Sequence, residues 1–338
     1  MILNSPILDS TFSISSLTLS CYPGGCCSSS KQMTHDQSLI TNHPSKDDTP
    51  TALTMAAPAL AGLFLFVALP FALAVVLSFT NLRLGSPLPI KWLGFEQYRR
   101  IFSDPTFFRA LLNNGLFALV IVPVQTALAL GLALLLNRPL KAMALFRTMF
   151  FMPVVFPMSL VAVVWTLIYA PGANGLMNAF LKFVTLGLWT PKDFLHDPML
   201  ALPAIILLSL WQGMGFQMVI ILAGLQSIPS VLYEAAAIDG SNKWNQFLHV
   251  TLPQLRNTLI FVMLVTSILA FRLFDQIKIM TQGGPNDATT TVMYEAVKVA
   301  FEQQKMAKGA AMTVVFFLIV LAITIVQRSL VKEERAYD

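Results

Sequence analysis

Residues 230–253 read SVLYEAAAIDGSNKWNQFLHVTLP, and they form a long polar stretch between two apolar ones. It predicts a short helix over Val231–Asp239, because Pro229 and Ser230 are helix-start signals and Gly240 is a helix-stop signal. The small side chains in the middle of this helix permit the close approach of another protein. Its two carboxylates would supply fixed negative charge at such a contact.

A second short helix is predicted directly after the first. Ser241 can cap a helix over Lys243–Val250. Pro253 has no backbone N–H and is predicted to break this helix. Each helix is too short to cross a membrane. The simplest interpretation is a solvated connector, and the alternative is a hairpin at the membrane surface that presents side chains to a partner.

The composition of the whole chain indicates a membrane protein. Of its 338 residues 56% are apolar and only 12% are charged, whereas a soluble domain is about 45–50% apolar and about 25% charged. The longest run of Lys or Arg is the pair Arg99–Arg100, so no nucleic-acid interface is expected. The cysteines, Cys21, Cys26 and Cys27, all precede the first apolar segment, so no disulfide is expected downstream.

Stretches without charge predict where the chain crosses the membrane. A spanning helix needs roughly 20 mostly apolar residues, because lipid offers no hydrogen bonds to the backbone. We therefore predict an all-α, polytopic membrane domain over residues 51–331, with the polar loop 229–254 between its fourth and fifth spans. Arg272 and Asp275 interrupt the fifth span, so they must lie near an interface or face a polar interior. The six predicted spans cover about 52–79, 111–136, 149–169, 200–225, 257–278 and 310–327.

The chain ends are predicted to lie outside this domain. Residues 1–50 are rich in Ser, Thr, Pro and Asp and are predicted to be a disordered or artefactual leader. A signal peptide is not expected, because the first basic residue is Lys31. Met33 is a candidate natural start, which would leave residues 1–32 outside the native protein. Residues 332–338 are predicted to form a short tail.

Charge alone leaves the orientation in the membrane open. The loop after the second span carries Arg138, Lys141 and Arg147 without an acid, as a cytoplasmic loop should. The loops on the other side are equally rich in cations, so the positive-inside rule favours neither orientation. Those cations are Arg83, Lys91, Arg99, Arg100, Lys278, Lys298, Lys305 and Lys308.

The spacing within the polar loop is similar to a known family. Glu234-Ala235-Ala236, three residues, Gly240, nine residues and then Val250-Thr251-Leu252-Pro253 resemble the loop of permease subunits of binding-protein-dependent ABC importers. Only Val250 departs from the pattern, where the family has Ile. The resemblance covers about residues 52–331 and points to the carbohydrate-uptake branch, through Trp92–Tyr98, Phe146–Trp165, Pro171–Gly175 and Thr281–Pro285.

This resemblance implies a type I importer permease fold in a bacterial inner membrane, with both termini in the cytoplasm. The chain would be a transport subunit without enzymatic activity or a cofactor, since it has no Gly-x4-Gly-Lys-Ser/Thr phosphate loop. ATP and Mg would bind to two partner ATPase subunits. The other implied partners are a second permease subunit and an extracytoplasmic binding protein. Residues implied to couple to the ATPase are Glu234, Ala235, Ala236, Asp239, Gly240, Leu252 and Pro253.

Polar residues inside spans are candidates for a substrate path, because an unsatisfied polar group in lipid is costly. Arg272 and Asp275 could instead pair with each other, three residues apart on one helical face. Asn174, Asn178 and the turn at Gly283 are expected on the outside, where a binding protein would dock. A sugar or polyol is the expected substrate, and glycerol phosphate stays open. The candidates are Asn114, Gln125, Gln212, Gln217, Arg272 and Asp275.

Two other classes of function fit the sequence less well. An ion-coupled secondary carrier would show charged residues in mid-membrane and a two-fold repeat, but the charges are few and the sequence shows no clear repeat. An intramembrane enzyme or a metal site would need a cluster of ligands or a nucleophile. The histidines, His35, His43, His196 and His249, are far apart in the sequence, so no metal site is expected.

Overall fold

The computed structural model describes residues 48–87, 89–137, 143–172 and 175–332. The described residues fall into two units, 48–60 and 61–332. In the first unit, the described residues 48–60 are helical. Several sequence predictions fall outside the described residues: the leader up to residue 47 with its cysteines and Met33, the cations Arg138 and Lys141, Asn174, and the tail after residue 332.

Helices make up most of the second unit, as an all-α fold requires. In the described residues the only β-pairing is an isolated bridge between Thr80 and Trp92. In chain order the helices are α1 (Asp48–Leu63), α2 (Leu69–Ser78), α3 (Glu96–Phe102), α4 (Pro105–Leu136), α5 (Met143–Val155), α6 (Met158–Ile168), α7 (Leu176–Val184), α8 (Ala201–Gln226), α9 (Ser230–Ile238), α10 (Lys243–Gln246), α11 (Leu252–Phe271), α12 (Val292–Val297) and α13 (Met306–Lys332). The π-turns Phe64–Ala68 and Phe247–Thr251 each join two helices directly, Ile277–Thr281 stands between α11 and α12, and Lys298–Glu302 extends the end of α12.

Five continuous helices in the described residues are long and apolar enough to cross a membrane, and a bent pair of helices can supply a sixth span. Many of their apolar side chains are exposed, for example Leu119 on α4, as expected of surfaces that face lipid. The prediction of a membrane domain with about six spans is therefore confirmed. The continuous spans are Leu53–Ser78, Pro105–Leu136, Ala201–Gln226, Lys243–Phe271 and Met306–Ser329.

The third predicted span is bent in the structure. The structure divides residues 149–169 between α5 and α6, which meet at a bend of 99°. Pro157 lies at the break with extended backbone angles, φ −55° and ψ 136°. The ring of a proline disfavours helical geometry in the preceding residue, here Phe156. The chain therefore leaves the helix before Pro157 and starts a new one after it.

The helix that contains the fifth span starts before the predicted span and ends before the predicted end. It begins at Lys243 and ends at Phe271, so Pro253 does not break the helix. The π-turn Phe247–Thr251 precedes the proline, and its wider turn shifts the carbonyl groups with which a proline ring normally clashes. The N-cap is Asn242, whose side chain accepts a hydrogen bond of 2.8 Å from Asn245 N, and not Ser241 as predicted.

Helix α8 lies at the centre of the second unit. It runs antiparallel to α11, as two contacts show. Gly224, near the end of α8, packs on Thr258, near the start of α11. Gln217, earlier in α8, is hydrogen-bonded to Thr266, later in α11. At the end of α8 that leads into α9, the helices α4, α8 and α11 share a small apolar core. Its fully buried members are Ala129, Ala133, Met218, Ile221 and Leu255.

Gly215 sets the distance between α8 and α5. A Cβ atom at this position would lie 2.0 Å from the carbonyl oxygen of Phe150, and a backbone atom cannot rotate away. We expect Gly215→Ala to destabilise the purified protein by about 1–3 kcal/mol, the usual cost of overpacking. A thermal melt in detergent measures this.

Gly131→Ala is the matched control, because a Cβ at Gly131 meets no atom within 4 Å. Removing a glycine from a helix interior gains about 0.5–1 kcal/mol. The melting temperature should therefore fall for Gly215→Ala and hold or rise for Gly131→Ala. Equal melting temperatures for the two variants would contradict the close packing of α5 on α8.

Candidate functional site

The hairpin formed by α9 and α10 turns at Gly240, as the sequence predicts. Gly240 has φ +78°, a left-handed conformation that glycine adopts without strain. Ser241 N donates to Ala236 O over 2.9 Å and Gly240 N donates to Ala237 O over 3.1 Å. These bonds satisfy the last carbonyls of α9, as in the usual glycine-terminated helix end.

The hairpin is fixed to the start of the fifth span. The Tyr233 hydroxyl on α9 is hydrogen-bonded to Thr251 Oγ1 over 3.0 Å, and Thr251 is buried. The rings of Trp244 and Phe247 pack with their centroids 5.6 Å apart. The π-turn connects α10 directly to α11, so the second arm of the hairpin is continuous with the spanning helix.

The outer side of the hairpin is exposed and partly apolar. No residue of α9 is buried, and Ile238 is 87% exposed. Glu234, Ala235 and Asp239 are exposed beside it, and Ala236 is half-buried. Apolar side chains of this kind, rimmed by carboxylates, are typical of a protein contact surface. Leu252 and Pro253 lie at the base of the hairpin, in the first turn of α11.

A cavity of about 290 Å³ lies between α8 and α11, the two helices that flank the hairpin, and is closed by residues of α4, α5 and α6. Four of the predicted path residues, Gln125, Gln212, Gln217 and Arg272, line it, whereas Asn114 and Asp275 do not. The lining also contains three polar residues that were not predicted to lie on the path, Ser209, Thr266 and Gln276. The first two were recognisable as polar residues within apolar stretches.

The Gln217 amide in this cavity is held in position by hydrogen bonds. Gln217 Nε2 donates to Thr266 Oγ1 over 2.6 Å, and Thr266 Oγ1 donates to Val262 O over 2.7 Å. Gln217 Oε1 is buried and has no donor among the described residues. A Cβ at Gly213 would lie 2.0 Å from Gln125 Nε2, so the glycine makes room for the Gln125 amide.

Arg272 and Asp275 do not share a helical face, because α11 ends at Phe271. Arg272 occupies the position after the last helical residue and is exposed at the cavity. A cation is favoured there by the partial negative charge of the helix C-terminus. No acidic side chain lines the cavity in the described part of the chain.

Two of the predicted polar residues, Asn114 and Asn178, have structural contacts instead. Asn114 Oδ1 accepts from Val292 N over 2.9 Å, and Asn113 Nδ2 donates to Thr290 O over 2.9 Å, so this pair fixes the segment before α12. Asn178 is 1% exposed and donates to Lys192 O over 2.9 Å. The Asn178 side chain is therefore used within the chain and is not exposed to a docking partner.

The chain belongs to the family described as binding-protein-dependent transport system inner membrane component, which matches residues 125–335. It is 35% identical over 277 residues to the probable ABC transporter permease protein YurN of Bacillus subtilis, covering 81% of this chain and 94% of that protein. It is 34% identical over 284 residues to the sulfoquinovosyl glycerol transport system permease protein SmoG of Agrobacterium fabrum, covering 83% and 90%.

A solved structure has the same fold. A bacterial ABC transporter involved in the import of the acidic polysaccharide alginate matches with a TM-score of 0.72 and 20% identity, covering 86% of this chain and 98% of that one. The type I permease fold is thus confirmed. The protein is a membrane-embedded permease subunit of an ABC importer.

Proposed function

We propose that this chain forms part of the translocation path for a sugar or a related polyol, delivered by an extracytoplasmic binding protein. The amide-lined cavity supports the proposal most directly, since amides donate and accept hydrogen bonds as sugar hydroxyls require. Relatives named for sulfoquinovosyl glycerol, diacetylchitobiose and lactose also favour a carbohydrate. The site would lie in a bacterial inner membrane, with both termini in the cytoplasm.

ATP hydrolysis would take place on partner subunits. Two ATP-binding subunits would hold ATP and Mg, and one of them would receive the exposed hairpin. Glu234, Asp239 and the small residues between them would form the contact. A second permease subunit would complete the path.

The two helices on either side of the hairpin give a mechanism of coupling. Gln212 and Gln217 lie on α8, before the hairpin, and Thr266 lies on α11, after it. All three line the cavity. A movement of the hairpin would therefore shift α11 against α8 and change the hydrogen bond between Gln217 and Thr266. Such a sliding of packed helices is a common way to switch between two states.

Gln217→Leu tests the cavity. We expect the variant to assemble normally. It should need roughly tenfold more substrate-loaded binding protein for half-maximal ATP hydrolysis, because losing the hydrogen bond between Gln217 and the substrate costs about 1–3 kcal/mol. Gln303→Leu, the same change at an exposed position, is the control and should leave the requirement unchanged. Equal behaviour of both variants and wild type would contradict the assignment of the cavity.

Arg272 favours one group of substrates over another. A single cation without an acidic neighbour in the cavity suits a substrate with an anionic group, such as an acidic sugar or glycerol phosphate. We expect Arg272→Ala to reduce uptake of the cognate substrate by roughly tenfold or more if that substrate is anionic. Unchanged uptake of every substrate tested would exclude Arg272 from the path and favour a role as an interface anchor.

A further inference from the structure

A basic pocket lies at the end of the helix bundle opposite α9. It forms where the segment after α2, helix α3 and the start of α13 meet, and its volume is about 160 Å³. Leu84 N donates to Gln304 O over 2.9 Å, and Ala307 N donates to Leu82 O over 3.1 Å, so the backbone holds these segments together. Every charged residue in its lining is a cation. The polar lining residues are Asn81, Arg83, Gln97, Arg100, Lys305 and Lys308.

Two of the four cations have acidic partners. Lys308 Nζ lies 2.7 Å from Asp104 Oδ2, which connects α13 to the start of α4. Burial raises the pKa of Asp104, but the hydrogen bond and charge of Lys308 and the backbone N–H of Thr106 outweigh it and hold the pKa below its usual value. Arg100 Nε lies 3.2 Å from Glu96 Oε1 on the exposed face of α3.

The other two cations leave the pocket with a surplus of positive charge. Among the described residues, Arg83 has no acidic partner, and Lys305 Nζ donates only to the neutral Gln303 Oε1, over 3.2 Å. Cations gathered in a concave site repel one another and attract an anion. Arg and Lys are the side chains that bind phosphate oxygens most strongly.

The position of the pocket indicates which kind of molecule would supply an anionic ligand. Helix α2 ends at Ser78 and α13 begins at Met306, and both belong to candidate spans. The pocket therefore lies at the boundary between hydrocarbon and water, at the depth of lipid headgroups. Val76, at the end of α2, is exposed and offers an apolar surface for an acyl chain.

We propose that this pocket binds the phosphate of an anionic lipid headgroup. Basic pockets between the ends of spanning helices bind such headgroups by charge. The site would also account for four of the eight cations that leave the positive-inside rule undecided, namely Arg83, Arg100, Lys305 and Lys308. The proposal rests on the membrane location of the chain and not on the substrate that it transports.

Native mass spectrometry of the full-length permease in detergent tests this. The probes are phosphatidylglycerol and phosphatidylcholine with the same acyl chains, at equal concentration. We expect the wild-type protein to retain phosphatidylglycerol in preference. The double variant Arg83→Gln/Lys305→Gln should weaken this retention by on the order of tenfold or more. Each Lys or Arg near an anionic headgroup contributes about 1 kcal/mol of binding free energy, and about 1.4 kcal/mol corresponds to a factor of ten.

Lys91→Gln/Arg99→Gln is the matched control. It removes one cation from the segment after α2 and one from α3, the two segments that also contribute to the pocket, but neither residue lines the pocket. It should retain phosphatidylglycerol like the wild type. Equal losses in both double variants, or equal retention of the two lipids by the wild type, would overturn the proposal.

Two further measurements separate the sources of the anion. If inorganic phosphate binds to the wild-type protein but phosphatidylglycerol shows no preference, the pocket is a site for a free anion and the lipid assignment is wrong. If the pocket variant retains phosphatidylglycerol normally but loses stimulation by the binding protein in phosphatidylcholine nanodiscs, the pocket receives an acidic protein surface instead. That result would also overturn the lipid assignment.

Discussion

Glu234→Lys is expected to leave the permease in the membrane but to abolish its stimulation of ATP hydrolysis in the complete transporter. The carboxylate is exposed on α9, which has no buried residue, so the substitution does not disturb the fold. It reverses the charge at the proposed contact, where a mismatched charge costs several kcal/mol. We expect at least a roughly tenfold loss of the hydrolysis stimulated by the loaded binding protein.

Glu96→Lys is the control for charge reversal. Glu96 forms an exposed ion pair with Arg100 on α3, and such pairs contribute only about 0–1 kcal/mol. This variant should be stimulated like the wild type. Normal stimulation of Glu234→Lys as well would refute the contact between α9 and the ATPase.

Gly240→Pro is expected to have an equally large effect for a different reason. Gly240 has φ +78°, whereas the proline ring fixes φ near −65°. The variant also lacks the N–H that bonds Ala237 O. The turn between α9 and α10 cannot form as it is, so α9 would lose its orientation while the spanning helices stay intact. ATP hydrolysis should lose its stimulation by roughly tenfold or more.

Gly240→Asn separates the geometry of this turn from the identity of the residue. Asparagine tolerates the left-handed conformation better than other side chains, and a Cβ at this position meets no atom within 4 Å. Gly240→Asn should therefore keep most of the stimulation. Loss of stimulation in Gly240→Asn to the same extent as in Gly240→Pro would contradict the conformational explanation.

The features that the sequence could predict are those controlled by local composition. Charge-free stretches locate the spans because lipid excludes charged groups, and Gly240 ends α9 because few other residues adopt its backbone conformation. Local composition does not predict that Pro253 leaves the helix unbroken. Whether a proline breaks a helix depends on the turn before it, and the π-turn Phe247–Thr251 is not visible in composition.

In the candidate site, too, local composition predicts some features, while others depend on how the helices pack. Gln125, Gln212 and Gln217 were recognisable as polar residues in apolar stretches, and they line one cavity. Asn114 has the same character in the sequence but bonds the backbone of Val292. A polar residue in a span must find a partner, but only the packing of the helices shows whether that partner is the chain itself or space open to a ligand.

Uptake of labelled substrate into proteoliposomes tests the central claim most directly. The vesicles would contain this permease with its partner permease and ATPase subunits, and they would receive the loaded binding protein on one side and ATP on the other. We expect substrate to accumulate with an active ATPase and not with a hydrolysis-dead one. Uptake that persists with the hydrolysis-dead ATPase would contradict an ATP-driven path coupled through α9.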